Sequence, residues 1–181
     1  MYVISDLGEP GTAPIRKPGH RLVASIDVEW SKNYRIKNGN RAFCYSVVWL
    51  AVPVSDQPIR VRAGLPFWST SVYLERDSER ADLVEAAAAD IGAAITVADI
   101  VVGHQLCSDL AVLIANAGSA VPFSLSAAQR AWHLRRSDPV HRVIDTRFDA
   151  GHVLSNPHAG WSMSVPSFAW TSRSRNLPAS R

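Results

Sequence analysis

Cysteine is scarce in this chain. The two residues, Cys44 and Cys107, sit in apolar, strand-like or strand-adjacent surroundings, which reads as buried free thiols and excludes a disulfide framework. No two cysteines stand close together and no His-x-x-x-His occurs, so zinc-ligand spacing is missing as well. Charge of one sign is not in excess: 19 Lys and Arg against 16 Asp and Glu leave a net +3, whose sign suits a nucleic-acid partner and whose size does not demand one. The most apolar stretch, Ala86 to Val102, is interrupted by Asp90 and Asp99, which argues against a membrane span. Asp6 and Glu9 interrupt the start and no apolar core follows, so a signal peptide is not expected and a cytoplasmic protein is. No internal repeat and no second domain are visible.

What is present suits one soluble domain. At 181 residues, 47% hydrophobic and 19% charged, the chain can bury a substantial core. Residues 1–20, with Pro10, Gly11, Pro14, Pro18 and Gly19, read as an irregular lead-in that contains a short strand at Tyr2 to Ile4. Arg21 to Trp30 and Ala42 to Val52 read as two strands joined through a basic turn at Asn38-Gly39, hence an antiparallel pair. Short strands are expected at Ile59 to Arg62 and at Ser71 to Leu74. A helix follows from Ser78 to Ala98, with Ser78 as N-cap and Leu83, Ala87, Ile91 and Ala94 at helical spacing. Asp99 to His104 reads as a buried, parallel strand. Helices are then expected at Asp109 to Ala117 and Ser126 to Arg136, and a last strand at His141 to Thr146. This order defines an α/β domain over 21–149, with an antiparallel start and a βαβ continuation. The stretch 150–181, broken by Pro157, Gly160 and Pro166, reads as an irregular tail.

The first strand carries the chemistry. Leu22 to Trp30 ends in Asp27 and Glu29, one residue apart, and a strand's period of two puts both on one face. Two acids there repel each other and lose hydration, a cost that a divalent cation offsets. The motif Asp27-Val28-Glu29, followed by Val102-Gly103-His104-Gln105 and then Asp109, resembles the first two motifs of the DnaQ-like 3′–5′ exonucleases, a branch of the ribonuclease H-like superfamily. Gln105 stands where that family often has Asn. Val143 to Thr146 resembles the strand that follows.

The resemblance implies a ribonuclease H-like fold with a mixed five-stranded sheet flanked by helices. It implies that Asp27, Glu29 and Asp109 are catalytic and hold two Mg²⁺ or Mn²⁺ ions, and that the substrate is the 3′ end of single-stranded DNA or RNA. A partner in replication or repair, such as a polymerase, would accompany that activity. Trp30 would then stack on a terminal base or pack in the core. His104 would contact substrate or act as a hydrogen-bonded structural histidine, and Asp109 would serve as ligand, helix cap or both. Asp145 reads as structural, paired with a helix end or with Thr146.

The family's third motif, a His or Tyr with an Asp four or five residues on, has no counterpart. Asp149 is the last acid, and no Asp or Glu follows His152 or His158. A truncated or frameshifted exonuclease and a natural non-catalytic relative both fit. Either way weak or no nuclease activity is expected, and the alternative function is a nucleic-acid-binding or interaction module of the same fold.

Overall fold

The computed structural model describes residues 1–32, 39–54, 64–139 and 142–149. Among them one mixed sheet holds six strands: β1 (Tyr2–Ser5), β2 (His20–Ser31), β3 (Arg41–Pro53), β4 (Phe67–Tyr73), β5 (Ile100–Gly103) and β6 (Val143–Asp145). Three helices accompany it: α1 (Arg80–Val97), α2 (Leu106–Asn116) and α3 (Phe123–Leu134). The strand order is β1-β4-β3-β2-β5-β6. The β1–β4, β4–β3 and β3–β2 pairs are antiparallel, and β2–β5 and β5–β6 are parallel. The protein is thus an α/β protein. None of its described helices is long and apolar enough to cross a membrane.

Alternation along β2 explains how the sheet sits. Leu22, Ala24, Ile26 and Val28 are buried and join one core cluster with Tyr45, Val47 and Trp49 of β3 and with residues of all three helices. The odd-numbered row turns to the opposite face, where Asp27 and Glu29 are exposed. The helical spacing holds as well: Leu83, Ala87, Ile91 and Ala94 are all fully buried in that cluster.

Several expectations are corrected. The sheet has six strands rather than five, because Tyr2–Ser5 satisfies the backbone edge of β4, so the lead-in is only partly irregular. β4 begins at Phe67, ahead of the expected Ser71. Ser78 does not cap α1; it lies in a 3-10 turn, Asp77–Glu79, and the helix starts at Arg80. α2 starts three residues before Asp109, because Gln105 reverses the chain directly after β5. α3 runs from Phe123, behind Pro122, and β6 stops at Asp145 where residues 146–149 turn helical. The turn at Asn38, the strand at Ile59 to Arg62, residue His141 and the stretch 150–181 with His152 and His158 lie outside the described residues.

A buried polar bond fastens the lead-in to the domain. Asp90 of α1, 4% exposed, accepts the Tyr45 hydroxyl at 2.7 Å and the Gly11 amide at 2.6 Å. Gly11 has φ +87, and a Cβ there would press on Ala89 at 3.3 Å, so the close approach requires glycine. Burial raises the Asp90 carboxyl against the lowering effect of both bonds, and burial together with Asp90 pushes the Tyr45 phenol far up. Asp90→Ala strands two donors, and equilibrium urea unfolding is expected to show a loss of about 2–4 kcal/mol. Adding Tyr45→Phe should recover roughly 1 kcal/mol, because one stranded donor disappears.

Candidate acidic site at the β2–α2 junction

The site is assembled where parallel strands β5 and β6 end together while β2 runs on beside them to Ser31. Ile26 is level with Gly103, and Gly103 with Asp145. The chain then turns sharply into α2. A Cβ on Gly103 would meet the Leu106 side chain at 2.8 Å, which fixes glycine at the last strand position. Gln105 takes φ +63, the left-handed conformation that Asn tolerates better than Gln. Its amide donates to Asp145 Oδ1 at 3.0 Å.

Asp145 is fully buried and accepts three N–H groups: Gln105 N, Arg147 N at 3.1 Å, and Trp132 Nε1 at 2.8 Å on Oδ2. It therefore has the structural role read from the sequence, with a helix end as its partner. A second buried acid supports it. Asp149 accepts the Asp145 amide at 2.9 Å and the Arg135 guanidinium at 2.7 Å. Arg135 in turn stacks over Trp132 at 4.0 Å from the ring centre. Burial raises the Asp149 carboxyl, but Arg135, the Asp145 amide and Arg136 outweigh it and hold the group below the usual carboxylate range. Sequence reasoning missed this network. Its one visible signal is the four-residue spacing of Asp145 and Asp149, which only a helical turn brings together.

The turn delivers Asp109 into the core's upper edge. It sits in the first turn of α2, 5% exposed, and makes no cap bond, so the capping role is not taken. Its Oδ1 accepts the Trp30 indole N–H at 3.4 Å, and its Oδ2 is buried without a hydrogen-bond partner among the described residues. A bulge between Glu29 and Trp30 shifts the β2–β3 register at the point where the indole meets Asp109. Trp30 is half-buried against the core, with Lys32 Nζ 5.7 Å from its ring. Burial, then the charge of Asp27, pushes Asp109 up to about 7; the Trp30 bond lowers it, and Asp145 and Glu29 raise it further.

Asp27 and Glu29 thus share an electrostatic neighbourhood with Asp109, although they stand exposed on the sheet face while Asp109 is enclosed. The three do not close into a ligand shell: among the described residues no three His, Cys, Asp or Glu side chains are placed to hold a metal ion. His104 is exposed, and its Nδ1 lies 2.9 Å from Thr146 Oγ1. Cys107 is half-exposed in the first turn of α2, and Cys44 is buried in β3 opposite Glu29; both are free thiols.

Fold and site together define an α/β protein with an acidic cluster at the carboxyl ends of its parallel strands. No protein-family model, curated protein or solved structure matches the chain.

Two outcomes are expected from this geometry. Gln105→Asn relieves a left-handed conformation that costs a typical side chain about 1–2 kcal/mol, and should raise stability by up to about 1 kcal/mol in thermal unfolding. Asp109 gives stability a pH dependence of its own. Below about pH 4 its carboxyl is protonated in both folded and unfolded chains. As pH rises to 7 the unfolded chain releases a proton that the folded chain keeps, so stability falls, by on the order of 4 kcal/mol at most, and then levels off. Asp109→Asn should lessen that decline, to which Asp90 also contributes, so that its stability relative to the parent is greater at pH 8 than at pH 4, as read by urea unfolding; the same difference from the parent at both pH values would rule out the elevated carboxyl.

Proposed function

We propose that this chain is a ribonuclease H-like domain that hydrolyses phosphodiesters at the 3′ ends of single strands with a divalent cation. The observation that carries the reading is Asp109: a buried carboxylate with one unpartnered oxygen, held protonated to about pH 7 by burial and by Asp27. A structural aspartate finds donors, as Asp145 does. One that meets only acids and a single indole N–H is suited to a cation. The inner strand order β4-β3-β2-β5-β6, antiparallel and then parallel about the acid-bearing β2, supports the fold that the DnaQ-like resemblance implies.

Asp27, Glu29 and Asp109 would supply the ligands, and their oxygen-only chemistry suits Mg²⁺ or Mn²⁺. When bound, such a cation supplies Lewis acidity for an attacking water and for the departing 3′ oxygen. The chain's own residues prepare that site. Trp30 orients Asp109 through Oδ1, the Asp145 network holds the turn from which α2 starts, and the open sheet face leaves Asp27 and Glu29 accessible. The absence of a closed three-donor set among the described residues favours weak turnover, and it favours as a second reading a binding module of the same fold that engages strands without cleavage.

The deciding experiment is degradation of 3′-labelled single-stranded DNA and RNA in Mn²⁺, with Asp27→Ala and Asp109→Ala as controls. Metal-dependent shortening is expected, with each variant at least about 10²-fold slower, since a lost metal ligand removes several kcal/mol of transition-state stabilisation. Equal rates for parent and Asp27→Ala would overturn the reading. Strand binding without divalent metal, weakening steeply with salt and without cleavage, would establish the second one.

A further inference from the structure

We propose that Arg136, Arg147 and Phe148 anchor a single strand behind its 3′ end, the two guanidinium groups taking phosphates and the ring taking a base. The inference rests on the proposed engagement of single strands, in either of its two readings.

A strand that reaches the acids needs an anchor outside them. Asp27, Glu29 and Asp109 repel phosphate, so attraction to the backbone must come from neighbouring elements. The end of β6 and the end of α3 supply it together. Arg136 is 60% exposed and Arg147 is exposed, whereas the acids beside them, Asp145 and Asp149, are buried. Asp149 is already paired with the buried Arg135 at 2.7 Å. The charge that this corner presents to solvent is therefore positive.

Hydrogen bonds fasten the corner to the turn that leads into α2. Asp145 Oδ1 accepts the amides of both Gln105 and Arg147, at 3.0 and 3.1 Å. The Thr146 hydroxyl lies 3.3 Å from the Gly103 carbonyl oxygen. In the sheet β6 is two strands from β2, a separation of about 10 Å. That is the length of about three stacked nucleotides.

Phe148 is built as a platform. It is 41% exposed and is supported from within. The Trp132 ring meets it edge to face, with centres 6.0 Å apart, and the Arg135 guanidinium lies 4.0 Å from the Trp132 centre and 5.9 Å from that of Phe148. Arg136 donates to the Phe148 carbonyl at 3.3 Å, and the Arg147 guanidinium lies 5.7 Å from the Phe148 ring centre. Both exposed cations thus accompany one exposed ring. That combination suits a base with its phosphates, and it tolerates any base, since each has a π-face. An acidic peptide would use the guanidinium groups and leave the ring idle.

The test is binding of a 5′-fluorescein-labelled oligothymidylate to the full chain, read by anisotropy in EDTA so that no strand is cut. Arg136→Ala and Arg147→Ala should each weaken binding at low salt, and each should lower the slope of log affinity against log salt by about 0.7. Phe148→Leu, which keeps an apolar contact for Trp132, should weaken binding about 5- to 150-fold and leave that slope unchanged. Arg16→Ala is the control for net charge: Arg16 pairs with Asp99 ahead of β5, at the opposite end of the sheet, and its loss should not weaken binding. Thermal unfolding should show all four variants folded. No binding by the parent at low salt would overturn the inference. So would tighter binding of a labelled oligoglutamate, which would assign the corner to an acidic peptide. A parent that shortens the strand in Mn²⁺ while the Arg136, Arg147 and Phe148 variants all bind as it does would overturn the inference and leave the proposed function standing. A parent that binds through these three residues and does not shorten the strand in Mn²⁺ would uphold the inference and overturn the hydrolysis, leaving the binding module.

Discussion

Among the described residues Asp145 has no cationic side chain bonded to it, and it is fully buried. Its charge is balanced by three N–H donors, two from the backbone and one from an indole. A buried carboxylate without them would cost several kcal/mol. The turn after β5, the start of the segment after β6, and the side of α3 are therefore held to one point. Move any of them and Asp145 loses a donor it cannot replace with water. The Gly103–Gln105 turn persists in a left-handed conformation because this constraint favours it.

The same constraint separates two kinds of buried acid. Asp145 is supplied with donors on both oxygens, and Asp149 takes Arg135 and the Asp145 amide on Oδ2 while its Oδ1, without a hydrogen bond among the described residues, faces Arg136 at 3.6 Å. Asp90 likewise has the Tyr45 hydroxyl and the Gly11 amide. Asp109 is held by the fold in a place where one oxygen has no donor and the nearby charges are negative. Its placement weakens the folded state near neutral pH, and the core built on Leu22, Ile26, Trp49 and Leu83 offsets that cost. Groups kept in such surroundings cluster at sites of chemistry more often than chance places them there.

Legibility in the sequence followed the range of the interactions. The pairing of β2 with β3, the buried row of α1 and the shared face of Asp27 and Glu29 come from periodicity, which is written in consecutive residues. The short strand at Tyr2 to Ile4 was legible as a strand, but not as the sixth member of the sheet, because its partner β4 lies about seventy residues away. The start of α2 was misplaced because Gln105 gives no left-handed signal, as Gly or Asn would. The Trp30 indole offered two readings, stacking or core, and neither includes the bond to Asp109 that a one-residue bulge accompanies.

By itself the sequence determined an α/β chain, the order of its elements and the acids that stand on one strand face, because side-chain direction along a strand or helix repeats with a fixed period. Only the tertiary structure decided which acids receive donors and which do not. Asp109, Asp145 and Asp149 are alike as residues, and their difference is made by Trp30, Trp132, Arg135 and the amide of Gln105, brought from separate elements. Desolvation and hydrogen bonding depend on distance in space, and the chain carries no local record of either.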